Sequence, residues 1–246
     1  MIAAIFFAFF LIATLYSSAG FGGGSLYLAI LSGSLFSLNL PPEQFKFIAL
    51  ACNGCVAWLG FIAFAKSDFN SKPWKRIFYI LACSSPFAFL AASLKIVESY
   101  FLFILGIGLI IAAIALVIPV IFKMPNYEIK NGWLFPISAM VGFLSGITGI
   151  GGGVYLAPIL HFTSFQKNKN IPLVTTVFIA VNSTVAILAS PNQIANTASW
   201  MYMLIPIVLL GGFLGNYLLR IKMNLSHLKI VTAFVLIFAG VRLIIR

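Results

Sequence analysis

The chain has 246 residues, 62% of them hydrophobic and 8% charged, with 15 Lys and Arg against four acids for a formal charge of +11. An ordinary soluble domain carries about 25% charged residues, so this chain cannot cover itself with polar surface, whereas a lipid solvent suits it. Its basic residues stand in short breaks between apolar runs rather than along one face, which excludes a nucleic-acid partner.

The first apolar stretch, residues 2–17, has no charged leading region and runs directly into a glycine cluster, so it reads as a helix and not as a cleaved leader. Residues 25–40 follow the cluster as a second short apolar segment, and long segments come next at about 43–65, 73–94 and 100–122. The second half has the same order: short segments at 132–147 and 153–165 around another glycine cluster, then long ones at about 171–189, 197–219 and 228–245. All ten are expected to be helical, because an isolated strand cannot satisfy its backbone in lipid. Cys52, Cys55 and Cys83 all lie within these apolar segments. Cys52 and Cys55 form a C-x-x-C with no strand–helix context and no second ligand pair, so they read as small buried hydrophobes.

The two glycine clusters are copies. Gly20-Phe21-Gly22-Gly23-Gly24 matches Gly149-Ile150-Gly151-Gly152-Gly153 at an offset of 129 residues. The same offset, without gaps, pairs Ile30 with Ile159, Phe36 with Phe165, Asn53 with Asn182 and Val56 with Val185. Shared apolar letters are cheap in such a chain, but glycine clusters and an asparagine kept in register are not, so an internal duplication is expected. Two units follow, residues 1–124 and 125–246. Beyond Leu59 the register slips, and Trp74 aligns with Trp200 at an offset of 126.

Loop charge sets an expected orientation. The 66–76 loop holds Lys66, Lys72, Lys75 and Arg76 against Asp68, whereas its second-half equivalent, Pro191-Asn192-Gln193, is uncharged. Conversely Lys95 and Glu98 balance, while the equivalent loop holds Arg220, Lys222 and Lys229. With basic loops inside, equivalent loops fall on opposite faces. The expected fold class is therefore an all-α, polytopic integral membrane bundle of two inverted repeats with glycine-broken or re-entrant helices. Both termini would be external, with Lys123 and Lys130 on a cytoplasmic connection; Arg242 and Arg246 run against this.

Three consecutive glycines in a bilayer expose backbone amides that lipid cannot satisfy, so such a break belongs inside protein or against a watery cavity. The helices that follow, from about Ser25 and Val154, point unpaired N–H groups and a positive dipole end at the break. Two such ends brought together form an anion site without a charged side chain; the plainer alternative is close helix packing through small residues. Asn53 and Asn182 sit mid-span at matching positions, where each amide could meet an anion, cap a broken helix or bond a neighbouring helix. Ser17, Ser18, Ser25, Thr148 and Tyr155 are further donors near the breaks, and local backbone bonds compete for each.

Equally informative is what the spans lack. Glu43, Asp68, Glu98 and Glu128 all fall in or beside expected loops, leaving no carboxylate at a span centre for a proton relay or cation site. His161 and His227 stand at helix ends, and Lys46 begins a long helix, where a lysine could help attract an anion but one that snorkels to the interface is the favoured expectation. No nucleophile–base pair, metal-ligand spacing or Walker-type phosphate loop occurs, so neither an enzyme nor a cofactor is expected.

The stretch Ala19-Gly20-Phe21-Gly22-Gly23-Gly24 and the longer Ser145-Gly146-Ile147-Thr148-Gly149-Ile150-Gly151-Gly152-Gly153-Val154-Tyr155-Leu156-Ala157-Pro158-Ile159-Leu160 resemble the paired signatures of the TauE/SafE sulfite exporter family. Ala29 stands where the second copy has Pro158. The resemblance implies a secondary transporter, exporting sulfite, a sulfonate or a similar small anion across a prokaryotic inner membrane. On the matching positions it implies a substrate site at Gly22, Gly23, Gly24, Gly151, Gly152 and Gly153, with Ser25, Asn53, Thr148 and Asn182 as candidate neighbours. A proton could travel on such a substrate, since sulfite's second ionisation lies near neutral pH. Two other readings stay open: a passive anion channel using the same elements, and a non-transporting membrane scaffold. Oligomeric state is not legible.

Overall fold

The computed structural model describes residues 2–18, 20–32, 41–65, 73–94, 97–121, 131–161, 170–190, 197–218 and 225–245. The loop charges Lys66, Asp68, Lys72, Lys95, Lys123, Glu128, Lys130, Lys167, Lys169, Arg220 and Lys222 lie outside these residues, as does Arg246. The described part of the chain is built of α-helices joined by turns and short breaks. In the first half these are α1 (Ile2–Ser18), α2 (Gly24–Leu31), α3 (Pro42–Ala65), α4 (Trp74–Ser93) and α5 (Glu98–Ile121). In the second they are α6 (Asn131–Thr148), α7 (Gly153–His161), α8 (Ile171–Leu188), α9 (Ser199–Tyr202), α10 (Leu204–Leu218) and α11 (Leu225–Ile245).

Among the described residues, Glu43–Ala65, Trp74–Ser93, Ile171–Leu188 and Ser199–Tyr217 are long and apolar enough to cross a membrane. Their outward faces are apolar too: Phe78 and Phe234 are 74% exposed and Phe213 is 70% exposed, a surface that lipid and not water would cover. The protein is thus an all-α polytopic membrane protein. One expected segment, 197–219, is divided by a turn at Met203. Pro206, in the first turn of α10, has no N–H to return to the preceding helix, which accounts for the interruption.

The pairings come in matched sets. The helix α4 packs on α6, and α1 packs on α10; α4 also meets α8, and α10 meets α3. Likewise α2 lies on α3 and α7 on α8, while α5 lies on α7 and α11 on α2. Two central pairs, α3 with α8 and α5 with α11, join the halves directly. Every one of these pairings has its counterpart when first-half helices are exchanged for second-half ones.

Small residues permit the close approaches. Gly142 and Gly146 of α6 rest against the backbone of Ser84 and Ala88 in α4, and Gly211 and Gly215 of α10 rest against Phe10 and Thr14 in α1. Gly106 and Gly240 meet reciprocally: a Cβ on Gly106 would stand 2.8 Å from the Gly240 carbonyl oxygen, and one on Gly240 2.7 Å from that of Gly106. These are the small-residue contacts that bring membrane helices together where no hydrophobic force does so.

Candidate functional site

Both glycine clusters interrupt helices, and the chain doubles back at the first. Tyr27, in α2, stacks on Phe9 of α1 with ring centroids 4.5 Å apart, and a Cβ on Gly23 would come within 2.9 Å of Ile12. A coaxial continuation would carry Tyr27 well away from Phe9, so α2 returns alongside α1. The reversal depends on backbone that only glycine adopts readily: φ is +89° at Gly23 and +75° at its equivalent, Gly152.

The N-terminus of each short helix stays largely uncapped. Gly23 carries no capping side chain, and its carbonyl accepts from Leu26 and Tyr27 N–H, both at 3.1 Å. That leaves Gly24 and Ser25 N–H at the head of α2. Gly24 N–H donates to Asn53 Oδ1 at 2.9 Å, while no described residue accepts from Ser25 N–H. At α7 the Gly152 carbonyl accepts from Tyr155 at 3.1 Å and Leu156 at 3.0 Å, leaving Gly153 and Val154 N–H without a partner among the described residues. Three buried hydroxyls in the same region also have none: Ser25 Oγ, Tyr27 OH and Ser145 Oγ. Built Cβ atoms on Gly23 and Gly152 would stand 3.0 Å from Tyr27 OH and 3.1 Å from Ser145 Oγ, so these two hydroxyls lie against the breaks.

Asn53 joins the two breaks. Its Oδ1 accepts from Gly24 of the first, and its Nδ2 donates to the Ile150 carbonyl of the second at 3.0 Å and to Ser183 Oγ of α8 at 3.3 Å. Gly22, Gly24 and Gly151 all crowd its side chain, and a Cβ on Gly24 would stand 2.6 Å from the Ile150 oxygen. The structure therefore brings together Gly22, Gly24, Asn53 and Gly151, with Ile150 between them, and puts Gly152 beside Phe178 and Ser145 and Gly153 beside Ile179.

Two expected neighbours are otherwise engaged. Asn182 is fully buried, but its amide donates to Ser84 Oγ of α4 at 3.2 Å, the interhelical bond that sequence left open as its alternative. The Thr148 hydroxyl donates to the Leu144 carbonyl at 2.6 Å, so its proton is spent on its own helix. Ser17 similarly donates to Gly212 O of α10 at 3.1 Å.

Lys46 departs from expectation more sharply. It is 8% exposed, with its ammonium 5.7 Å from the centre of the Phe101 ring, and does not reach out to an interface. The absence of a side chain at Gly149 opens the space its methylenes fill. Sequence reasoning also passed over Ser183, Tyr27 and Ser145. Ser183 adjoins the repeated asparagine, which was the one available signal for it. Cys52 is buried and Cys55 half-buried, both free, as small residues of the α3 face.

A family profile described as "Sulfite exporter TauE/SafE" matches residues 5–243. The chain belongs to the TauE/SafE sulfite exporter family. This TauE/SafE protein is 29% identical to "Probable membrane transporter protein y4hK" of Sinorhizobium fredii, over 96% of each chain. It is 31% identical to "Probable membrane transporter protein YunE" of Bacillus subtilis over 121 residues, 48% of this chain and 42% of that one. No solved structure matches it. Family and relatives alike are membrane transporters, so the TauE/SafE protein is an integral membrane transporter, with a small-molecule substrate and a lipid surround.

Proposed function

We propose that this TauE/SafE protein is a secondary transporter that exports a small sulfur-containing anion, such as sulfite or a sulfonate, through a site where the two glycine breaks meet. One observation carries the reading: the head of α7 and one residue at the head of α2 offer buried N–H groups without partners, beside the unpartnered hydroxyls of Ser25, Tyr27 and Ser145. Buried N–H and O–H donors without partners suit an oxyanion. No acidic residue is buried among the described residues, so nothing there repels one.

Gly22, Gly23, Gly24, Gly151, Gly152 and Gly153 would give the anion close approach to the backbone, with Ser25 as a donor from both its amide and its hydroxyl. Asn53 holds the breaks against each other and would move with them. Asn182 and Thr148 contribute at one remove, through α4 and α6. The matched helix pairings support a pseudo-two-fold relation between residues 1–124 and 125–246, and the loop charges favour an inverted one in a prokaryotic inner membrane, with external termini. A proton carried on the substrate would couple export to pH.

The test is flux in reconstituted vesicles. Saturable movement of sulfite or a sulfonate that responds to a pH gradient is expected, and is lost in Gly151→Val. Absence of flux for every such anion would overturn the reading. Unsaturable flux that only follows the gradient would make the protein a passive channel.

A further inference from the structure

Lys46 is the one charged side chain buried among the described residues. It stands in the second turn of α3, with its methylenes along the second break: a Cβ on Gly149 would come within 2.7 Å of its Cγ and 3.4 Å of its Cε. Its ammonium faces the Phe101 ring, and among the described residues no carboxylate pairs with it; Glu43, a turn earlier, is exposed. A buried ammonium is unfavourable without a counter-charge, and an aromatic face compensates only in part. Such a group is held ready for an anion.

The duplication sharpens the point. At the offset of 129, Lys46 corresponds to Thr175, and Gly149 corresponds to Gly20. Thr175 occupies the equivalent place, its hydroxyl 2.9 Å from the Gly20 carbonyl and equally close to the Ile171 carbonyl of its own helix. One break is therefore flanked by an ammonium and the other by a neutral hydroxyl. Sequence symmetry relates the two positions, and chemistry separates them.

We propose that the Lys46 ammonium binds the negative charge of the substrate at the Gly149 end of the site, giving that end of the pathway a higher anion affinity than the end held by Thr175. The inference rests on the anion-transport reading above. An anion moving between the breaks would meet a charged donor on one side and an uncharged one on the other, so loading and release would differ in affinity without any carboxylate.

Sulfite flux from each side of oriented vesicles tests this in the wild type, Lys46→Thr and Lys46→Arg. Lys46→Thr, which copies the natural residue of the other half, is expected to raise the half-saturating sulfite concentration on one side by roughly 10- to 100-fold, the equivalent of one charge-assisted hydrogen bond. Lys46→Arg restores most of the affinity, because it restores the charge. Melting of each purified variant without sulfite, and the upward shift on adding it, separates loss of fold from loss of binding. A folded Lys46→Thr with wild-type half-saturation and a wild-type sulfite shift overturns the proposal while leaving transport intact. A wild type that moves no anion removes the transport reading itself, and this inference with it. Should Lys46→Thr not fold, Lys46→Gln takes its place; if only Lys46→Arg folds, the ammonium is a structural group and the proposal fails.

Discussion

Replacing Asn53 by alanine removes the side chain that ties the two breaks together. Its three hydrogen bonds, to Gly24, Ile150 and Ser183, would vanish at once, and two of the partners are buried backbone groups. A buried backbone group left unsatisfied costs about 1–3 kcal/mol in proteins generally, while side-chain hydrogen bonds within membrane proteins average about 0.6 kcal/mol. These two scales bracket the expected loss at about 2–5 kcal/mol. Asn182→Ala is the internal standard: an amide of the same size, equally buried, but engaged only with Ser84, so its loss is about 1 kcal/mol. Reversible unfolding of all three proteins by a denaturing detergent in mixed micelles measures both. Equal destabilisation of the two variants would refute the claim that Asn53, and not the repeated asparagine as such, holds the breaks. Asn53→Asp refines the test, since it keeps the acceptor for Gly24, loses the donor to Ile150 and introduces a negative charge; transport should fall more than stability.

Other outcomes follow from the same geometry. Gly152→Ala forces a side chain onto backbone at φ +75° and into Phe178 and Ser145, for a combined loss of about 2–4 kcal/mol and of flux, read by melting and by vesicle uptake. Gly240→Ala pushes α11 away from Gly106 and Ile110; destabilisation of about 1–3 kcal/mol is expected by the same unfolding assay, and an unchanged protein would mean the two helices slide freely. Cysteines placed at Lys72 and Gln193, in a background without Cys52, Cys55 and Cys83, should label with a membrane-impermeant reagent from opposite faces. Labelling of both from one face would rule out the inverted arrangement.

Hydropathy located the long helices to within a few residues, because a span in lipid must be both apolar and long, and that pattern is local; the far ends of the expected segments 25–40 and 153–165 lie outside the described residues. It missed the turn at Met203, where a proline among apolar residues changes backbone bonding without changing hydropathy. The glycine breaks and Asn53 were legible through repetition, since polar and conformationally special letters stand out in a greasy chain. The unequal roles of Asn53 and Asn182 were not. Their difference lies in the partners that packing supplies: Asn53 reaches both breaks and the Ser183 hydroxyl, whereas Asn182 bonds Ser84 of α4. A repeat in register predicts matching places, and the partners depend on every residue that differs. Lys46 was misread for a related reason, because its burial depends on Gly149, about a hundred positions later in the chain.

The cross-pairing of halves also bears on how the chain is made. Helices α1 and α4 find their main partners in α10 and α6, which leave the ribosome later. Until Gly142 and Gly146 are inserted, the Ser84 and Ala88 face of α4 has only lipid against it, and α1 waits longer still, for Gly211 and Gly215. The first five helices thus enter the bilayer as a loose set whose seams close in order of synthesis, the α4–α6 seam first, the α1–α10 seam late and the α5–α11 seam last. A nascent chain stalled after residue 124 would be inserted but unlocked, an open target for membrane proteases. Quality control could therefore read completion of this protein from whether its earliest helix has been covered by one of its last.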